Sequence, residues 1–158
     1  MKKKYRIMIA VICAVMLACV CIIGARLNPG TDTAPPSATK TPGTTPGELR
    51  NYLNGVAAVA DEYTAFFKGV AADPASILES ATTTRLRAIG AKARRLVAPP
   101  EFRETHRWFV AASHHYDNAA NCADRGDLDC TIAEMKLGTA DIDRAYAELL
   151  VAKKQLGL

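Results

Sequence analysis

The sequence is poor in aromatic residues and lacks the common motifs that hold cofactors or phosphate groups. Phe, Tyr and Trp make up 6% of the chain, which is too few to favour an aromatic-lined ligand pocket. It contains no Cys-x-x-Cys-His haem motif, no glycine-rich phosphate loop and no nucleophile elbow. No serine has a histidine and an acidic residue at a recognisable spacing. We therefore expect a protein that is not an enzyme and that needs no cofactor.

Positive charge is concentrated at the start of the chain, although the formal net charge of the whole is only +4. The residues before Pro46 contain six basic side chains against Asp32 alone, whereas the remainder contains 14 basic and 15 acidic residues. A domain that binds nucleic acid carries a basic surface of its own. Because the remainder is close to neutral, nucleic acid is not an expected partner.

A long uncharged segment follows a basic cluster at the N-terminus. It begins at Ile7 and ends at Ala25, so as a helix these 19 residues would span about 28 Å, close to the thickness of the bilayer core. Positive flanking residues remain in the cytoplasm, and more of them precede the segment than follow it. Residues 1–25 are therefore predicted to be a basic N-terminus and a single-pass membrane anchor, with the C-terminal domain outside the cytoplasm.

Two alternatives to an uncleaved anchor stay open, and both also export the domain. The tripeptide Ile23-Gly24-Ala25 is compatible with cleavage by a signal peptidase, which would release a secreted protein. The residues that precede Cys19 form a degenerate lipobox, so Cys19 is a candidate for lipidation.

Residues 26–47 are rich in Thr, Pro and Gly and contain too few apolar side chains to fold, which predicts a disordered linker. Residues 48–156 then contain four segments in which apolar or small residues recur alternately three and four apart. The clearest comprises Leu49, Leu53, Val56, Ala60, Tyr63, Phe67 and Val70. Short connections between four helices of about 23–28 residues predict an all-α, antiparallel up-down-up-down four-helix bundle.

Local signals mark the breaks between these helices. Asp73-Pro74 and Pro99-Pro100 end the first and second, because a residue before proline avoids helical dihedral angles. Gly126 is expected to take a left-handed cap conformation, and Asp127 to cap the fourth helix. Cys122 and Cys130 flank this last turn and are the only cysteines after the linker, so they are predicted to form a disulfide in an oxidising compartment.

The second helix carries the one candidate contact surface that the sequence indicates. With Leu86 and Ile89 facing the core, its basic side chains spread over the outer surface: Arg85, Arg87, Lys92, Arg94 and Arg95. They indicate a surface for an anionic polymer or an envelope protein partner. The structural alternative is that they pair with carboxylates of neighbouring helices, of which Asp141, Asp143 and Glu148 are available.

The histidines do not form a recognisable metal motif. His106, His114 and His115 all fall on the third helix, but none of the spacings is three or four residues, so they are expected to be solvated or at the rim. Trp108 follows Arg107 and is expected either to pack against a neighbouring helix or to form an exposed contact point. No metal site is predicted.

The whole layout resembles that of many bacterial envelope proteins: a basic N-terminus, one apolar span, a Thr/Pro linker and a helical domain. No specific motif is shared, so no functional residue is transferred. We expect a membrane-tethered, non-enzymatic binding or structural module. The alternative is a small-ligand or metal-binding sensor or carrier that works with a membrane partner.

Overall fold

The computed structural model describes residues 44–158, and in that range it contains four α-helices and no strand. The helices are α1 (Pro46–Ala72), α2 (Ser80–Arg95), α3 (Arg103–Asp124) and α4 (Leu128–Leu156). Short 3₁₀ helices, Pro74–Leu78 and Pro100–Phe102, occupy the first two connections. This architecture is compatible with a helical bundle. The predicted anchor, the candidate lipidation site Cys19 and most of the predicted linker lie outside the described residues.

A capping box fixes the start of α1. The Thr45 hydroxyl accepts a hydrogen bond from the backbone N–H of Glu48 at 3.2 Å, and the Glu48 carboxylate accepts one from the backbone N–H of Thr45 at 2.7 Å. These bonds satisfy amide groups that the first helical turn leaves without partners, and they hold the pKa of Glu48 below its usual range. Pro46 follows with a backbone suited to the first helical position.

The turn between α3 and α4 has the predicted conformation. Gly126 has a φ of 73°, in the left-handed region that glycine tolerates. The Asp127 carboxylate accepts a hydrogen bond from the backbone N–H of Cys130 at 3.0 Å and caps α4. Cys122 and Cys130 lie at disulfide-bonding distance with their Cα atoms 5.7 Å apart, so the bridge joins the end of α3 to the first turn of α4.

The second helix is shorter than the sequence predicts. It has 16 residues, whereas the apolar repeat indicated a helix of about 23–28. The 3₁₀ helix Pro74–Leu78 occupies the residues that precede α2. Leu96, the residue that follows α2, has an extended ψ of 135°. Pro100 begins a 3₁₀ turn rather than α3 itself. Pro74 and Pro99 disfavour the helical region at the residues directly before them, Asp73 and Ala98, which keeps α2 separate from α1 and α3.

Side-chain contacts join each helix to the next one along the chain. Lys92 on α2 reaches back to Glu62 on α1, and Thr83 near the start of α2 contacts Asp124 at the end of α3. His115 on α3 contacts Glu134 on α4, and the helices also meet at the disulfide. The turn between α3 and α4 and the connection between α1 and α2 therefore lie at one end of the domain, here called the distal end. The start of α1 lies at the opposite, proximal end.

Aromatic and aliphatic side chains of all four helices form one core. Within this core the Tyr116 ring contacts two aromatic rings of α1. Its centroid lies 5.0 Å from that of Tyr63 and 5.5 Å from that of Phe67. The third helical segment of the sequence has an apolar repeat of its own, and all of its members are buried: Phe102, Phe109, Ala112, Tyr116, Ala119 and Ala123. Of the seven predicted on α1, only Leu49 and Leu53 are half-buried rather than buried.

Candidate functional site

Arg87, one of the five basic residues of α2, binds the end of α3. Its guanidinium forms an ion pair with Asp124 and donates a hydrogen bond to the Asn121 amide oxygen at 2.8 Å. The Thr83 hydroxyl donates to the other Asp124 carboxylate oxygen at 2.7 Å. The Thr83 hydroxyl and the Arg87 guanidinium together lower the pKa of Asp124. This pair attaches the start of α2 to the distal end of α3.

Arg94 and Lys92 make comparable contacts further along α2. Arg94 lies 2.8 Å from the Asp117 carboxylate and donates to the Ser113 hydroxyl at 3.0 Å, whereas Lys92 lies 2.7 Å from Glu62. Three of the five basic side chains thus join α2 to its neighbours. Their partners belong to α1 and α3, not to the α4 carboxylates that the sequence made available.

Arg85 and Arg95 are the two basic residues of α2 that remain for an external ligand. Both are exposed, and neither forms an ion pair or hydrogen bond with another residue of the range 44–158. They lie near opposite ends of the helix, about 15 Å apart at 1.5 Å per residue. Of the basic surface predicted for an anionic polymer or a protein partner, two separate cations therefore remain unpaired among the described residues.

A polar cluster that the sequence did not predict lies between α3 and α4. His115 Nδ1 is 2.7 Å from the Glu134 carboxylate, and His115 Nε2 is 3.6 Å from that of Asp141. Asp141 is only 7% exposed and also lies 3.2 Å from the Arg144 guanidinium. A buried carboxylate needs such partners to offset the loss of hydration. His115 is therefore half-buried and paired with carboxylates of α4, whereas His114 is exposed.

Trp108 lies beside this cluster between two arginines. The guanidinium carbons of Arg107 and Arg144 lie 4.8 Å and 4.7 Å from the indole centroid, within the range of cation–π attraction. The ring is half-buried and packs against the core. Arg144 contacts both Trp108 and Asp141, so its position on the outer side of α4 is fixed by two separate interactions.

The cluster joins α3 to α4 through the contacts of His115 with the Glu134 and Asp141 carboxylates. A catalytic histidine needs one ring nitrogen directed at a nucleophile or a substrate. Both ring nitrogens of His115 face carboxylates, and no hydroxyl or thiol within the described part of the chain hydrogen-bonds to it. Among residues 44–158 there is also no group of three His, Cys, Asp or Glu side chains placed to hold a metal ion.

His106 occupies a drier position near the proximal end. Its ring meets that of Tyr52 edge-on with the centroids 5.8 Å apart, and its Nδ1 is buried without a hydrogen-bond partner in the described range. Burial lowers the pKa of His106 and raises that of Tyr52, because each charged form loses hydration. His106 as a whole is half-buried, although its Nδ1 atom is buried.

The interior contains a cavity between α1, α3 and α4 of about 30 Å³. Its walls include Val56, Phe109, Ile142 and Leu149. A space of this size accommodates one or two water molecules. It is an order of magnitude smaller than the pockets that bind metabolites, which measure about 300–1,000 Å³.

Comparison with known proteins does not assign the chain to a family. No protein-family model, no curated protein and no solved structure matches the chain. Within residues 44–158, no helix is long and apolar enough to cross a membrane.

The outer surface of α4 is the largest apolar feature that sequence analysis missed. Leu137, Leu150 and Val151 are 49%, 43% and 51% exposed, and three alanines on the same side are exposed: Ala133, Ala140 and Ala147. The repeat that identified α4 in the sequence ran through its buried face. A second, offset repeat was present in the same segment and was the signal that would have revealed this surface.

Proposed function

We propose that this chain is a membrane-tethered, extracytoplasmic, up-down-up-down four-helix bundle that works as a non-enzymatic binding module of a cell envelope. Its contact surface is the outer side of α4, and its partner is an amphipathic helix of another envelope protein. The charge asymmetry around residues 7–25 supports the tether and its orientation. The proximity of Cys122 and Cys130, whose Cα atoms are 5.7 Å apart, supports an oxidising compartment.

The observation that carries this proposal is that α4 has two apolar faces. One packs into the core through Ile132, Met135, Ile142 and Leu149. The other is exposed at positions 137, 140, 144, 147, 151 and 154, which alternate three and four apart as in the seam of a coiled coil. An exposed seam of this kind favours contact with another helix.

The charges on the seam define the partner. Its two polar positions are Arg144 and Lys154, both exposed, while the exposed acids Asp143 and Glu148 lie beside the seam and not on it. A partner helix with carboxylates opposite these cations would complement it, whereas a parallel second copy would place cation against cation. Arg144 is held by Trp108 and Asp141 before binding, which reduces the side-chain entropy lost in the complex.

Site-specific photocrosslinking in intact membranes tests this surface. A photoreactive residue at Leu137 or Val151 should crosslink one protein, and the crosslinked peptide should be an acidic amphipathic helix. The same residue at Ala65, exposed on α1, is the control and should not give that product. Leu137→Glu with Val151→Glu should abolish the crosslink from position 140 while the melting temperature stays unchanged. Equal crosslinking from Ala65, or crosslinks only to a second copy, would refute the proposed surface.

The orientation has a separate test. A reporter that is active only in the cytoplasm, fused after Leu158, should be silent if the domain is exported. Reporter activity would overturn the extracytoplasmic location, and with it the oxidising compartment. The crosslinking experiment would still determine whether the outer side of α4 binds a protein.

A further inference from the structure

The two ends of the domain differ in charge. At the distal end, the connecting segments and the residues within two positions of them contain five acidic residues and one basic residue, Arg125: the acids are Asp73, Glu79, Asp124, Asp127 and Asp129. At the proximal end, cations predominate among the exposed side chains: Arg50, Arg95, Arg103, Arg107 and Lys154. Glu104 pairs with Arg107, while Glu48 and Glu101 keep their charge and accept hydrogen bonds from Thr45 and Thr44, so the cations at that end still outnumber these acids.

The proximal end also exposes an aliphatic side chain. Val97 is 87% exposed, in the extended segment between α2 and the turn at Pro100. An open groove of about 480 Å³ lies beside it, lined by Tyr52, Leu96 and Pro99 among others. A protruding valine flanked by cations is the combination that places a protein surface at the boundary between lipid headgroups and acyl chains.

We propose that the proximal end docks on the anionic lipid surface of the membrane that holds the predicted anchor. Val97 enters the interfacial layer, and Arg50, Arg95 and Arg103 lie against lipid phosphates. This inference rests on the tether of the proposed function. It adds a second contact, in which the bundle lies on the membrane instead of standing away from it, and it leaves the outer side of α4 free for a protein.

The position of the chain favours a lipid surface over another anionic ligand. The segment that leads towards the predicted anchor enters the domain at Thr44, whose hydroxyl is fixed to the Glu101 carboxylate at 2.9 Å. Residues 26–43, as a flexible chain, would separate that point from the membrane by about 23 Å. The proximal end is thus presented to the lipid at a high effective concentration. The surface attraction decays over about 8–10 Å, so docked and extended positions differ sharply in electrostatic energy.

Tryptophan quenching by brominated lipid measures the docked position in the full chain. Val97→Trp is placed in a Trp108→Phe background, and the chain is reconstituted into nanodiscs containing neutral lipid alone or neutral with anionic lipid. The control is Ala81→Trp in the same background, at an exposed position near the distal end. We expect quenching of Val97→Trp on anionic discs only, and none of Ala81→Trp on either.

Charge substitutions identify the cations responsible. Arg50→Gln, Arg95→Gln and Arg103→Gln should each lower the docking equilibrium about fivefold, the effect of one cation near an anionic surface. The charge-matched control, Lys68→Gln near the distal end, should leave quenching unchanged. Circular dichroism checks that every variant folds. Quenching of Val97→Trp no greater than that of Ala81→Trp, or equal on neutral and anionic discs, would overturn the docking.

Flotation with neutral vesicles separates this inference from the tether. If the full chain floats but Val97→Trp is not quenched on anionic discs, the anchor stands and the docking fails. If the chain does not float with neutral vesicles, the tether is wrong. Docking is then supported only if the chain floats with anionic vesicles and loses that binding when the three cations are neutralised.

Discussion

Gly138 of α4 lies against the ring of Tyr116 of α3, so that a Cβ atom at position 138 would be 2.5 Å from Tyr116 Cε1. This contact allows the two helices to approach closely in the middle of the domain. The ring has little room to move, because it is 2% exposed and packs on Tyr63 and Phe67.

Gly138→Ala should therefore destabilise the domain, although alanine favours helix formation by about 1 kcal/mol relative to glycine. Overpacking a close contact costs about 1–3 kcal/mol, and we expect a net loss of roughly 1 kcal/mol from α3 and α4 moving apart. Urea unfolding measures the change in free energy.

Gly69→Ala is the matched control for this substitution. It is also a helix-interior glycine, but a Cβ at position 69 would meet no atom within 4 Å. It should stabilise the domain by up to about 1 kcal/mol. Equal effects of the two substitutions would show that Tyr116 does not restrict position 138.

Arg94 and Arg95 are adjacent residues with opposite surroundings. Arg94 contacts Asp117 and Ser113, whereas Arg95 is exposed and unpaired among the described residues. Arg94→Gln should cost about 1 kcal/mol of unfolding free energy, because the half-buried Asp117 carboxylate loses its ionic partner. Arg95→Gln should change it by less than about 0.5 kcal/mol. Comparable losses in chemical denaturation would contradict the assignment of Arg94 to structure and Arg95 to external contact.

Local signals predicted the helix boundaries between α1 and α4 unevenly: three were correct, whereas α2 ends at Arg95, before the signal at Pro99-Pro100. Asp73-Pro74 ends α1, Gly126 has a positive φ, and Asp127 caps α4, all from residues within a few positions of the boundary. The length of α2 was wrong because an apolar repeat continues through residues in extended or 3₁₀ conformations. Periodicity alone does not distinguish these from a helix.

The ion pairs could not be predicted in the same way. Whether Arg87 meets Asp124 or a carboxylate of α4 depends on how each helix is rotated about its axis, which the packing of all four helices determines together. The same reason hid the contact of His115 with Glu134 and Asp141, since no motif along α3 encodes a partner on another helix. The apolar repeat on the outer side of α4 was present in the sequence, but the repeat of the buried face is stronger and was the one used to identify the helix.

Acid should destabilise the domain in part through His106. Burial lowers the pKa of His106 in the folded state, so the unfolded chain binds a proton more readily at mildly acidic pH. The contribution of the neutral ring is complete above the unfolded value of about 6.5, and it is lost as pH falls through the lowered pKa of the folded state.

His106→Gln removes this titration and serves as the test. Unfolding free energies of the two proteins, measured from pH 8 to pH 5, should run parallel above about pH 7. Below that, the original protein should lose stability more steeply than the variant. Parallel curves over the whole range would show that His106 titrates with the same pKa in both states.

The bridge between Cys122 and Cys130 yields the last prediction. It closes a loop with a sequence separation of only eight residues, so its effect on the unfolded chain is moderate, about 2–3 kcal/mol. Cys122→Ser should lower the melting temperature on the order of 10 °C, which is the drop that this loss produces in a domain of this size. Cys130→Ser should have the same effect, because either substitution removes the same crosslink.

The double variant separates the crosslink from packing. If the bridge accounts for the effect, Cys122→Ser with Cys130→Ser should be no less stable than the worse single variant. Adding a reductant should lower the melting temperature of the original protein but leave that of the double variant unchanged. Thiol labelling after proteolytic isolation of the peptides gives an independent measure, since both cysteines should react only after reduction. Free labelling of the native protein would show that the pair is not oxidised, and the exported location would then depend on the charges around residues 7–25 alone.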